Sequence, residues 1–112
     1  MLKTMGMVEP LRQALSAHPG KVRAAFIYGS MAKEEDRASS DVDVMVIGDD
    51  LAYSDYFDGF LDAERRLKRP IHPIFVGPDE WKNKLAQGSA FFTKINAQPK
   101  IFILGSQEDL AA

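Results

Sequence analysis

An apolar segment interrupted by two acids constrains this chain more than any other feature. Asp41 and Asp43 lie one residue apart at the start of the apolar segment Val42–Ile47, which is otherwise typical of a buried strand. Because side chains alternate across a strand, both carboxylates point to one face. A buried carboxylate without a partner is costly, and two neighbouring carboxylates disfavour each other's ionised form. The segment therefore predicts a strand covered on both sides, with a polar end where a cation enters.

The expected ion at this pair follows from the ligand type. The sequence contains no cysteine, so thiolate ligands and disulfides are excluded. Two carboxylates offer only oxygen ligands, which favour a hard cation. We therefore expect Asp41 and Asp43 to hold Mg²⁺ or Mn²⁺.

A Gly-Ser pair precedes the acids. Gly29 and Ser30 end a predicted strand over Val22–Tyr28, and a short helix is predicted over Met31–Asp36. Glycine allows close approach, and the unpaired N–H groups of a helix start attract phosphate. Either motif alone is weak, since a Gly-Ser pair is usually a turn and polar strand ends are common. In this order, the two motifs together predict phosphoryl or nucleotidyl transfer.

Length and charge limit the remaining classes of protein. The 112 residues predict one domain, 1–112, with a modest core. The formal net charge of −2 argues against broad binding of nucleic acid. No apolar run is long enough to span a membrane, and the first residues lack the pattern of a signal peptide. The expectation is a soluble, cytoplasmic protein.

Helix and strand signals alternate along the whole chain. The predicted elements, besides those above, are helix Glu9–Ala17 with Pro10 in its first turn, helix Asp55–Lys68 capped by Ser54, strand Ile71–Val76, a helix from Pro78 to near Gly88, a short helix after Ser89, and a strand or extended tail at Ile101–Leu104. Pro70 and Pro73 restrict the hydrogen bonding of strand Ile71–Val76 and indicate an edge or a bulge there. A polar loop is predicted over 37–40. This order predicts an α/β (α+β) fold, with a small mixed sheet flanked by helices.

Three clusters of side chains are assigned from their spacing. The apolar face of helix Asp55–Lys68 is predicted to comprise Phe57, Phe60, Leu61, Glu64 and Leu67. Trp81 is predicted to pack in the core with Phe91 and Phe92 rather than to stack on bases. The basic cluster at the helix end, for which we favour pairing with the helix dipole over contact with acceptor RNA or an acidic partner, comprises Arg65, Arg66, Lys68 and Arg69.

The pattern Gly29-Ser30 followed by Ser40-Asp41-Val42-Asp43 resembles the signature of the DNA polymerase beta-type nucleotidyltransferase superfamily. The chain length and the preceding helix and strand resemble its minimal nucleotidyltransferases. The resemblance implies a nucleotidyltransferase-like fold in which Gly29 and Ser30 hold a nucleoside triphosphate. It also implies that Asp41 and Asp43 hold two divalent ions for attack on the α-phosphate.

Lys33 departs from the family pattern. The family often has Ala-Arg-Gly shortly after the Gly-Ser pair, where this sequence has Ala32-Lys33-Glu34. A lysine keeps positive charge near phosphate, although without the planar fork of arginine. The alternative is a solvated helix lysine.

The third catalytic carboxylate of the family has no counterpart in the expected strand. Residues 69–75 contain no acid, and His72 occupies the expected place. A neutral histidine can bind a metal or take a proton but does not neutralise charge as a carboxylate does. The alternative is a histidine at a strand end with no role in the site. Asp62, Glu64, Asp79 and a residue of a partner chain remain alternatives for the missing group.

Two functional hypotheses follow. The first is a metal-dependent nucleotidyltransferase that moves a nucleoside monophosphate to a protein or RNA hydroxyl. The second is a catalytically weakened nucleotide-binding or antitoxin-type module. The resemblance implies a helical HEPN-type partner, because minimal members commonly pair with one as antitoxin and toxin. A homo-oligomer is also left open.

Overall fold

The computed structural model of the protein describes residues 5–17, 21–29, 41–106 and 108. Its helices are α1 (Met5–Leu15), α2 (Tyr53–Leu67), α3 (Pro78–Ala86) and α4 (Ala90–Ala97), and its strands are β1 (Val22–Tyr28), β2 (Val42–Gly48), β3 (Ile71–Val76) and β4 (Ile101–Leu104). The helix predicted over Met31–Asp36 and the loop predicted over 37–40 lie outside the described residues.

The strands form one mixed sheet in the order β3-β2-β1-β4. β1 is antiparallel to β2 and β4, whereas β2 and β3 are parallel and joined through α2. β3 lies at an edge, which is one of the two predicted alternatives. Pro73 has no N–H to donate to a further strand. β4 forms the opposite edge, so the segment Ile101–Leu104 is a strand and not an extended tail.

Helices cover both faces of the sheet. One face of β2, comprising Val42, Val44 and Val46, packs with buried side chains of α1 and α2. The other face, which includes Met45, packs with Trp81 and Phe92 of α3 and α4. The predicted α/β class, with a small mixed sheet flanked by helices, is confirmed. The aspartates lie at the beginning of this doubly covered strand.

Helix α1 differs from the prediction at both ends. It begins at Met5 rather than Glu9 and ends at Leu15 rather than Ala17. Pro10 therefore lies inside the helix, where it removes a backbone hydrogen bond at a cost of about 3 kcal/mol. Leu11 and Leu15 are fully buried, and this packing offsets the cost of the proline.

Helix α2 packs on the core with part of the predicted face, which includes Phe60 and Leu67 but not Phe57. Tyr56, Phe60 and Ala63 are buried, whereas Phe57 is 45% exposed. The rings of Tyr56 and Phe60 pack against Phe75 of β3, and this contact fixes the rotation of the helix. The assignment of Phe57 to the buried face was wrong.

Two predictions about helix ends and aromatic packing also need correction. Ser54 does not cap α2, since the N-cap residue is Ala52 and makes no side-chain hydrogen bond. Trp81 and Phe92 are buried in the core as predicted, but Phe91 is 49% exposed. Ser89 is the N-cap residue of α4, without a side-chain hydrogen bond.

Among the described residues, no helix has the length and apolar character needed to cross a membrane.

Candidate functional site

The two aspartates lie at the start of β2, on the face that α3 and α4 cover further along the strand. Asp41 directly precedes the strand and is exposed, whereas Asp43 is its second residue and is half-buried. Val42, between them, is fully buried on the opposite face. Because of this alternation, both carboxylates lie on the same face, as the sequence predicted. An ion from solvent can therefore reach both.

Gly29 directly follows β1 and lies beside Asp43. Its backbone has a φ of 81°, in the left-handed region that favours glycine. A Cβ built on Gly29 would lie 3.1 Å from Oδ2 of Asp43. The structure thus brings Gly29 and Asp43 together, while Ser30 and Lys33 lie outside the described residues.

Tyr28 is a site neighbour that the sequence reasoning missed. It is the register partner of Asp43 in the β1–β2 pair. Burial of its ring, and secondly the charge of Asp43, raises the pKa of Tyr28 to about 12. Alternation along β1 puts Tyr28 on the same face as Phe26, and this can be seen in the sequence. The pairing of Tyr28 with Asp43 can be seen only when the two strands are aligned in the sheet.

The electrostatic state of Asp43 reflects its surroundings. Burial raises the pKa of its carboxyl above the ordinary value, nearby His72 lowers it, and Asp41 raises it again. A cation bound at the pair would favour the ionised form of Asp43. The site is therefore one whose charge a metal ion would balance.

His72 connects the edge strand to the aspartates. It is the second residue of β3 and the register partner of Asp43. Its Nε2 lies 2.9 Å from Oδ2 of Asp41, a hydrogen bond in which the imidazole N–H donates to the carboxylate.

The other acids weighed for the missing third carboxylate lie elsewhere. Oε2 of Glu64 accepts a hydrogen bond of 2.7 Å from the backbone N–H of Ile71. Asp62 and Asp79 are exposed on α2 and α3. No three His, Asp or Glu side chains within the described ranges are grouped so as to hold a metal ion.

The donor chemistry of the aspartate pair nevertheless fits a hard divalent cation. Both ligands are carboxylates on one face, and both reach solvent. In the arrangement observed, Oδ2 of Asp41 is engaged by His72, so binding of an ion there would replace that hydrogen bond.

The basic cluster borders a groove near the same end of the sheet. The groove lies between the end of α2 and the start of β3, and is lined by Leu61, Glu64, Arg65, Lys68, Arg69 and Pro70. Arg65 and Arg66 lie in the last turn of α2, where the helix dipole favours cations. Arg66 also donates a hydrogen bond of 2.6 Å to Oε1 of Gln13. A structural role therefore accounts for Arg66, while Arg65, Lys68 and Arg69 line the groove.

The match of the sequence to a protein-family model identifies the family of the chain. The model described as polymerase beta nucleotidyltransferase matches residues 9–81. The chain belongs to the polymerase beta nucleotidyltransferase family. The matched range contains Gly29, Asp41, Asp43 and His72. No curated protein matches this family member.

Several solved structures have a similar fold. A toxin–antitoxin structure with AMP-PNP has a TM-score of 0.66 and 16% identity, covering 93% of this chain and 77% of that chain. The toxin–antitoxin MntA-HepT has a TM-score of 0.60 and 15% identity, covering 96% and 77%. A third is a complex of tri-AMPylated HEPN toxin with MNT antitoxin from Shewanella oneidensis, with a TM-score of 0.58 and 15% identity, covering 95% and 75%. At these identities, the likeness shows that this nucleotidyltransferase shares their fold.

Proposed function

We propose that this protein is a divalent-metal-dependent nucleotidyltransferase that moves a nucleoside monophosphate from a nucleoside triphosphate to a hydroxyl of a HEPN-type partner protein. The observation that carries the proposal is the contact between the Gly29 turn and Asp43, with Asp41 on the same face. Family membership and a neighbour described as an AMPylated toxin bound to its antitoxin support it. Residues 1–112 would form one such domain, acting in the cytoplasm.

Each described site residue has a part in this chemistry. Gly29 leaves space beside Asp43 because it has no side chain, so a triphosphate can approach the backbone. Asp41 and Asp43 would hold Mg²⁺ or Mn²⁺ through oxygen ligands. The bound ions would supply charge neutralisation for the phosphates and polarise the attacking hydroxyl. Ser30 and Lys33 would add a hydroxyl and a positive charge to the phosphate site.

The reaction balances as an in-line displacement. The acceptor oxygen forms a bond to the α-phosphorus as the bond from that phosphorus to the bridging oxygen breaks. Pyrophosphate leaves with the electron pair of the broken bond, and the proton of the acceptor hydroxyl passes to water, which reaches the exposed Asp41 side of the site. The aspartates fix the geometry, since this type of transfer depends mainly on positioning and on charge stabilisation.

One observation favours a second function. His72 engages Asp41 in a hydrogen bond, and the resemblance assigns His72 to the place where the family has a third carboxylate. A site with two acids instead of three supports a catalytically weakened nucleotide-binding module that acts as an antitoxin by contact. In that case, nucleotide would bind without turnover.

A labelling assay separates the two functions. The protein is mixed with Mg²⁺, a nucleoside triphosphate labelled at the α-phosphate, and either a HEPN-type protein or total RNA as acceptor. We expect label on the HEPN-type protein, and a loss of about two orders of magnitude or more in Asp41→Asn and Asp43→Asn. Asp58→Asn, at an exposed position on α2, is the matched control. Undiminished transfer by both site variants would contradict the proposal, and binding without transfer would favour the second function.

A further inference from the structure

One flank of helix α2 carries an exposed apolar stripe. Tyr53 and Phe57 are 48% and 45% exposed, and Leu61 is half-buried. Each residue follows the one before it by four positions, so the three side chains lie in a row along the helix. The two rings contact each other, with 5.6 Å between their centroids. Among the described residues, the other exposed large apolar side chain is Phe91 on α4.

The stripe lies on the flank of α2 that faces away from α1. On the opposite flank, α2 approaches α1 so closely that a Cβ at Gly59 would lie 2.8 Å from Cα of Ala14. The stripe instead lies over the edge strand β3, since the rings of Tyr53 and Phe75 have centroids 5.7 Å apart. Within the described part of the chain, the layer formed by α1 and α2 therefore ends in an apolar surface. A further helix packed there would continue the layer.

The charges of α2 make it complementary to an antiparallel copy of itself. Asp58 and Asp62 precede Arg65 and Lys68, and all four are exposed. No ion pair with another described residue engages any of these four side chains. Asp58 lies three residues before Leu61 and Arg65 four residues after it. A two-fold axis near Leu61 therefore brings Asp58 of each copy beside Arg65 of the other, and this contact occurs twice in the pair.

A groove at the end of the stripe fits the same arrangement. Leu61, Lys68 and Pro70 are among the residues that line it. Tyr53 lies eight residues before Leu61, so antiparallel pairing places Tyr53 of a second copy at the end of α2, where the groove opens. Its ring would pack against Leu61 and Pro70 and lie near the cation of Lys68, and a cation is attracted to an aromatic face.

We infer that the protein forms a two-fold symmetric dimer through this flank of α2, with Tyr53 and Phe57 as apolar anchors and Asp58 paired with Arg65 of the second copy. Acids and bases on one helix supply both halves of the charge complementarity, which makes a second copy the favoured occupant of the stripe. The inference does not depend on the proposed function. Because α2 and the two aspartates of the site lie on opposite faces of the sheet, the dimer leaves the site open.

Sedimentation velocity of the purified protein, from about 1 to 500 µM, tests for the dimer. We expect reversible dimers with a Kd in the micromolar range, since one helix flank is a small interface. Phe57→Ser should raise the Kd by about tenfold or more, because it removes an apolar anchor. Phe91→Ser, at a similarly exposed phenylalanine on α4, is the matched control and should leave the Kd within about twofold. Circular dichroism checks that both variants are folded.

A charge exchange tests the orientation of the two copies. Asp58→Arg and Arg65→Asp each place like charges at both ends of the contact, so each should raise the Kd by about tenfold or more. The variant with both changes restores opposite charges and should return the Kd to within about threefold of the wild type. A monomer at every concentration would overturn the inference, as would a dimer whose Kd neither Phe57→Ser nor the two charge reversals change. Protection of α2 from hydrogen exchange only when a HEPN-type protein is added would also overturn it, in favour of a different partner.

Discussion

A Cβ at Gly29 would lie 3.1 Å from the carboxylate oxygen Oδ2 of Asp43. This distance is tighter than ordinary van der Waals contact, and the φ of 81° at Gly29 also disfavours any side chain. The backbone after β1 and the Asp43 side chain near the start of β2 are therefore packed so closely that no side chain fits between them. The turn that is proposed to receive phosphate lies directly beside a proposed metal ligand.

Replacing this glycine should damage binding more than stability. Gly29→Ala and Gly88→Ala both place a side chain at positive φ, and each should cost about 1–2 kcal/mol of unfolding free energy. Only Gly29→Ala also presses on Asp43, because a Cβ at Gly88 meets nothing within 4 Å. We expect Gly29→Ala to weaken binding of Mg²⁺ and nucleoside triphosphate by about tenfold or more. Calorimetry measures this effect, and equal affinities in the two variants would contradict the role of Gly29.

The crossing of α1 and α2 predicts an unusual response to alanine. Gly→Ala inside a helix normally stabilises by about 0.5–1 kcal/mol. At Gly59, however, a Cβ would lie 2.8 Å from Cα and 2.9 Å from the carbonyl oxygen of Ala14. Gly59→Ala should therefore destabilise by about 1–3 kcal/mol. Gly77→Ala, where a Cβ meets nothing within 4 Å, replaces the N-cap residue of α3 and should cost less than about 1 kcal/mol. Urea unfolding gives both values, and a more stable Gly59→Ala would show that the helices are further apart.

Alkaline pH should destabilise the fold through Tyr28. Burial, and secondly Asp43, raises its pKa from 10.0 to about 12. The unfolded chain releases this proton near the lower value, so the contribution of Tyr28 is complete below it and is lost as pH rises toward about 12. Tyr28→Phe should remove this part of the alkaline loss, and Asp43→Asn should reduce it. Unfolding free energies across this pH range test the point. A parallel loss in wild type and Tyr28→Phe would contradict it.

Local patterns in the sequence predicted most of the sheet. Strand residues two apart share a face, so the placement of Asp41 and Asp43 on one face follows from the alternation alone. The prolines of β3 predicted an edge or a bulge, and the strand order of the sheet shows the edge. The hydrogen bond between His72 and Asp41 could not be predicted from the sequence, because it depends on the pairing of two strands that lie far apart along the chain.

The helices show where local patterns fail. Both Phe57 and Tyr56 belong to apolar stripes of α2, and contact with Phe75 of β3 decides which one is buried. The start of α1 depends on the buried packing of Leu11 and Leu15, which offsets an interior Pro10. Tertiary contacts settle such cases, and propensity alone does not.

Binding of nucleoside triphosphate measured by calorimetry, with and without Mg²⁺, tests the central claim most directly. The wild type is compared with the double variant Asp41→Asn, Asp43→Asn, and with Asp58→Asn, Asp62→Asn as a charge-matched control at exposed positions of α2. The proposed donor site predicts metal-dependent binding that the control keeps and the site variant loses. Equal binding by the wild type and the site variant, or no binding by the wild type at any concentration of Mg²⁺ or Mn²⁺, would contradict it.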